Sequence, residues 1–248
     1  MVSDYKSVSK TFTYAFQLLI PLFLVYEVSI PLMGQTSEAD MLLQKIIVFI
    51  GCGLIPQSFA FPFMMAAIIA GAIAITRYEQ KKFGVIEIDP KFFLITLKTA
   101  VLYGLIVNVV IAFISSGYIA MPFAKGFSAI PSFRNFTVQS MFYGGGIVFE
   151  ELLFRVMMLG SLLLFFQKIA LNSFRWECFA VVISAILFAA FHYMKLLPGS
   201  HPDPLTLSSF IYRFLLGVAY GGLYIKKGLA TTTWTHAMAN IWVTSNII

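Results

Sequence analysis

Apolar residues in this chain come in long runs rather than stripes. Largely uncharged stretches of about 20 residues or more recur near 12–31, 42–76, 93–116, 137–166, 177–195, 206–225 and 229–247, and such runs predict transmembrane helices. The second covers 35 residues and holds Pro56 and Pro62, so it reads as two helices or one broken helix. The first, Thr11 to Met33, is longer than a signal-peptide core and lacks a small-x-small cleavage site, so it predicts a retained span. The expectation is an all-α, polytopic transmembrane bundle of seven or eight spans. Residues 1–248 then form a single integral membrane domain, with no soluble module or low-complexity linker.

Composition sharpens this picture. The chain is 59% hydrophobic and 11% charged, against roughly 25% charged in an average soluble domain; too few charges remain to build a water-facing surface. The net charge of +6 lies in clusters between the runs, which reads as topogenic loop charge and argues against a nucleic-acid partner. With seven crossings, Lys6, Lys10, Arg77, Lys81, Lys82, Lys91, Lys168, Arg175, Lys226 and Lys227 fall on one side. Glu38, Asp40, Lys125, Arg134 and Lys195 fall on the other. The positive-inside rule then predicts a multi-pass protein with a cytoplasmic N-terminus, in the cell membrane if the source is prokaryotic. An eighth crossing within 42–76 would break the pattern. Cys52 and Cys178 form neither a metal-type spacing nor a disulfide framework.

Candidate chemistry lies inside the runs, where an ionisable group costs at least ~2.5–3.5 kcal/mol and therefore needs a reason to be there. The fourth run reads Phe149-Glu150-Glu151-Leu152-Leu153-Phe154-Arg155. Glu151 and Arg155 are spaced i,i+4 with the acid first, the favourable order for an ion pair holding a helix in register. Glu150 points about 100° away and has no cationic partner on its own helix. It reads as a general base, or as a neutral carboxyl bonded between helices. His192 closes Phe188-x-x-x-His192 on the fifth run, and His236-x-x-x-Asn240 shares one face of the last. Each histidine alone could be an interhelical hydrogen-bonder. Together, groups from three helices can converge on one water-filled pocket. His201, beside Asp203 in a Pro-rich loop, reads as solvated. Gly144-Gly145-Gly146 and Gly217-x-x-x-Gly221 read as close helix packing, not phosphate loops. Glu27, Lys45, Lys98 and Arg213 read as snorkelling or paired.

The ordered set Glu150-Glu151-x-x-x-Arg155, Phe188-x-x-x-His192 and His236-x-x-x-Asn240 resembles the CPBP (CAAX protease and bacteriocin-processing, Abi) family of intramembrane proteases, which includes the type 2 CAAX prenyl endopeptidases. Phe214 to Tyr224, with Gly217, Gly221 and Gly222, also resembles that family's Gly-rich penultimate helix. The resemblance covers about 136–243.

The resemblance implies an intramembrane endopeptidase. Glu150 and His192 would activate water, His236 and Asn240 would stabilise the oxyanion, and Glu151 and Arg155 would support them. The implied partners are the lipid bilayer and a peptide or protein substrate with a membrane-associated, prenylated or otherwise anchored C-terminus. A carboxylate–imidazole pair suits proton abstraction, and paired donors suit an oxyanion. No cofactor is expected. The alternative is zinc on Glu150, His192 and His236, against which stand the absence of H-E-x-x-H and the apolar neighbours Phe188, Ala189 and Ala237, which supply no second-shell acceptor. Counted along upright helices at ~1.5 Å per residue, His236 lies ~12 Å deep and His192 ~24 Å, a mismatch that tilt, a later helix start or unwinding would have to remove. Competing readings are a non-catalytic membrane binding or immunity protein on the same scaffold, and a small proton-coupled transporter. No internal repeat favours the transporter.

Overall fold

The computed structural model describes residues 4–34, 36–51, 56–84, 86, 88–116, 133–169, 174–194 and 205–244, without the side chains of 57, 112, 114–116, 133–136, 243 and 244. Cys52, Lys125, Lys195, His201 and Asp203 lie outside the described residues, as does the side chain of Arg134. Among the described residues the regular structure is helical, with no β-strand. A one-turn helix α1 (Tyr5–Val8) precedes α2 (Phe12–Met33), α3 (Glu38–Ile50), α4 (Ala60–Phe83) and α5 (Pro90–Ser116). Then come α6 (Phe133–Glu151), a π-helical segment (Leu152–Leu159) that continues into α7 (Gly160–Lys168), α8 (Phe174–Phe191), α9 (Leu207–Lys227) and α10 (Leu229–Thr244).

The long run 42–76 resolves into two helices. The Gly51 N–H turns back onto Ile47 O and ends α3, Pro56 cannot extend it, and a 3₁₀ turn at Gln57–Phe59 starts α4. Pro62 is tolerated because first-turn N–H groups have no intrahelical partner. Two loop assignments change as well. Arg77, Lys81 and Lys82 ride on the last turns of α4, which runs to Phe83, where cations meet the negative end of the helix dipole. Asp40, expected in a loop, is fully buried at the start of α3 and accepts from Tyr26 Oη at 3.1 Å and Gln44 Nε2 at 2.9 Å. One partnership had no signal in the sequence. Glu79 of α4 accepts the Phe12 N–H (2.8 Å), the Thr13 N–H (2.8 Å) and the Thr13 hydroxyl (2.7 Å). A carboxylate thereby caps the positive end of α2.

Among the described residues four helices are long and apolar enough to cross a membrane: Phe12–Met33, Ala60–Phe83, 90–111 within α5, and Phe174–Phe191. The protein is an integral membrane protein. The other helices miss that criterion for visible reasons. α3 has 13 residues and α10 has 16, about 20 and 24 Å of helix against a ~30 Å core. The α6–α7 rod carries Glu150, Glu151 and Arg155 mid-length, and α9 carries Arg213 and ends in Lys226-Lys227.

Small residues bring the site helices together. A Cβ on Gly145 would lie 2.6 Å from Tyr26 Cβ, so α6 and α2 touch backbone to backbone. Gly217 brings α9 onto the backbone of Ala185, and Gly221 makes room for the Val181 side chain, both on α8. Phe149, Phe154, Phe188, Phe191 and Tyr220 then pack into one core cluster at the junction of α6, α8 and α9.

Candidate active site

Glu150 and Glu151 are the last residues before the helix widens. In the π segment the Gly160 N–H reaches back five residues to Arg155 O, the wider spacing that recurs at functional sites. Ser184 of α8 donates to Phe154 O at 3.1 Å and ties the segment to its neighbour. The adjacent carboxylates face different surroundings from this point.

Glu151 is buried and committed on both oxygens. Oε2 lies 3.2 Å from Arg155 Nε, and Oε1 lies 2.8 Å from His236 Nδ1. Arg155 is fully buried, and no nitrogen of its guanidinium has an aligned hydrogen bond among the described residues. It is held instead by the carboxylate's charge and by two rings, Phe188 at 5.1 Å and Tyr220 at 5.9 Å. His236 stacks on Tyr220, with centroids 4.4 Å apart, and meets Phe188 edge-on at 5.8 Å. The expected i,i+4 contact of Glu151 and Arg155 is therefore half of a three-member chain. Its other half, 85 positions away on α10, was not anticipated from the sequence.

Glu150 is half-buried, and no cation or hydrogen-bond donor rests against it among the described residues. It lies within electrostatic reach of His192 and of Tyr220. His192 is not on the helix. α8 ends at Phe191, and the N–H groups of His192, Tyr193 and Met194 bond three residues back to Ala189, Ala190 and Phe191. The His192 ring then takes up the slack, with Nδ1 donating to the released Phe188 carbonyl at 3.0 Å. The two imidazoles flank one phenyl ring, His192 at 5.0 Å and His236 at 5.8 Å from Phe188. Counting depth along upright helices overstated their separation. Asn240 stands apart from that contact: its Nδ2 donates to Tyr143 O of α6 at 3.4 Å.

Both histidines meet an acceptor through Nδ1, a carbonyl for His192 and a carboxylate for His236. The proton therefore sits on Nδ1, and Nε2 is left to face other groups. The expectation that apolar neighbours leave these rings without second-shell acceptors is thus corrected. The acceptors come from the histidine's own helix end and from the facing helix. A zinc site would need Glu150, His192 and His236 to converge. Among the described residues no three His, Cys, Asp or Glu side chains form such a group.

A polar relay completes the wall. Tyr212 Oη donates to Asn108 Oδ1 at 2.8 Å, and buried Asn108 donates to Ala239 O at 3.0 Å. It fixes α10 against α5 and α9 one residue before Asn240. Nothing in the pattern of residues pointed to Asn108, a single amide in an apolar run.

Comparison with known proteins places these observations. No curated protein and no solved structure matches the chain. Residues 134–242 match a family described as type II CAAX prenyl endopeptidase Rce1-like, a stretch that takes in every residue of the two clusters, from α6 to nearly the end of α10. The match supports assigning residues 134–242 to the CAAX protease family.

Proposed function

We propose that the protein is an intramembrane endopeptidase that hydrolyses a peptide bond near the C-terminus of a lipid-modified or membrane-anchored protein. The observation that carries this reading is the division of labour between neighbouring carboxylates. Glu151 is consumed by Arg155 and His236, while Glu150 remains half-buried and electrostatically coupled to His192. Water between Glu150 and His192 Nε2 gives one proton to this pair as its oxygen attacks the scissile carbonyl, and the pair returns that proton to the nitrogen as the C–N bond breaks. His236 and Asn240 receive the resulting oxyanion. For His236 Nε2 to donate, the ring must be protonated, and Glu151 is the counter-charge that supports this. Arg155, Glu151 and a protonated His236 then sum to one positive charge, the complement of one oxyanion. The mechanism needs no metal.

In the same reading residues 1–248 form one membrane domain. The α6–α7 rod, α9 and α10 lie at membrane depth with their polar faces turned inward, and the N-terminus is cytoplasmic. The test is incubation of the purified protein with a fluorogenic CAAX-type peptide beside Glu150→Ala, with and without 1,10-phenanthroline. Cleavage by the parent alone, unchanged by the chelator and with well under one zinc per chain, is the expected result. Stoichiometric zinc, lost with activity on chelation and restored on re-addition, would overturn the metal-free mechanism.

A further inference from the structure

Beside His192, where α8 ends and α9 begins, stands a cation that the mechanism above does not employ. Arg213 is half-buried in the second turn of α9. Its Nη1 donates to Tyr193 Oη at 3.0 Å, and its guanidinium carbon lies 5.2 Å from the Tyr193 ring centroid. The Tyr193 hydroxyl donates to Ser209 Oγ at 2.9 Å, and Ser209 is part of the capping box that opens α9. The Tyr193 ring also packs on Phe210 at 6.1 Å. Tyr193 directly follows His192 in the same turn, so one short piece of backbone sets both the imidazole and the ring that holds the arginine. The Arg213 charge reaches His192.

The ligand chemistry follows from the endopeptidase reading, on which this inference rests. A CAAX-type substrate ends three residues beyond its modified cysteine, in a free α-carboxylate. In extended form those residues place the carboxylate about 10 Å from the attacked bond. A carboxylate entering a low-dielectric site needs a cation, and a guanidinium fork meets both of its oxygens. Two other groups of cations are badly placed for this. Arg155 is fully buried between Phe188 and Tyr220, and Lys226 and Lys227 stand about 20 Å away at the other end of α9. We propose that Arg213 determines specificity by receiving the α-carboxylate of the substrate's last residue, with Tyr193 and Ser209 positioning it.

The experiment compares kcat/KM for two fluorogenic CAAX-type peptides, identical except that one ends in a carboxylate and the other in an amide. The parent protein should prefer the acid by about 10- to 100-fold, the worth of a hydrogen-bonded charge pair. Arg213→Gln should bring the acid-to-amide ratio close to one, and Arg213→Lys should keep part of it. Tyr193→Phe, which removes only the positioning hydroxyl, should lower the ratio by less and stands in if Arg213→Gln does not fold. A parent that cleaves both peptides equally, or variants that keep the parent's ratio, would overturn the carboxylate subsite while leaving the endopeptidase reading intact. Cleavage of neither peptide by the parent would overturn that reading, and the subsite with it.

Discussion

Along α4, Phe63, Ile69 and Ile73 are about half exposed, and 11% of the helix's most apolar stretch is buried in the protein. Along α10, Thr231, Thr232, Thr233 and Thr235 are fully buried, and each returns its hydroxyl to the carbonyl four residues back, at 2.7 to 3.4 Å. The first helix shows its apolar side chains to the surroundings and the second turns polar side chains inward. The contrast shows what each composition records. That of α4 reports a solvent, lipid, while that of α10 reports its neighbours. Apolar runs mark both segments, but they say nothing of the inward polar face of α10, the helix that carries His236 and Asn240.

If the inward polar groups hold the second region together, the largest effect should come from breaking its buried pair. Arg155→Gln leaves Glu151 charged and enclosed, and should cost ~3–5 kcal/mol in thermal unfolding. The Glu151→Gln, Arg155→Gln double change should cost less than the sum of the singles; additive losses would count against the pairing. Next in size is the helix contact beneath it. Gly145→Ala forces α6 from Tyr26, 2.6 Å from the new Cβ, and should cost ~1–3 kcal/mol. A lipid-facing change on α4, Ile73→Leu, should stay within ~0.5 kcal/mol. A loss matching that of Gly145→Ala would place α4 inside an interface and erase the contrast. Smallest of all, exchange of Cys52 and Cys178 for Ser should leave proteolysis within a few-fold, Cys178 being exposed. Complete inactivation of a folded protein would revive a thiol mechanism.

The same contrast explains what the sequence disclosed. The four apolar spans and the helical pairing of Glu151 with Arg155 were legible because both rest on local sequence, the spans on unbroken apolar runs and the pair on i,i+4 spacing. The partnership of Glu151 with His236 was not. Periodicity states which face of a helix a carboxylate occupies, not which remote helix arrives there, and two adjacent glutamates gave no ground for sending His236 to the second. Glu79 was hidden for a related reason: a charge near an apolar run's end reads as loop until its partner, the bare N-terminus of α2, is seen. His192 lost its helix because i→i−3 bonds at a helix end leave no mark on hydropathy. Arg213 was visible as a charge in an apolar run, but its role depends on Tyr193, brought to it by the turn after α8.

The account stands on two neighbouring carboxylates having different work, and one paired measurement addresses that directly: cleavage rate and thermal midpoint taken on the same preparations of Glu150→Gln and Glu151→Gln. Glu150→Gln should lose at least ~10²-fold in rate with a midpoint matching the parent, while Glu151→Gln should lower the midpoint. More than about 10% of parental activity in Glu150→Gln would remove Glu150 from the base role, and an unshifted midpoint in Glu151→Gln would contradict its structural one.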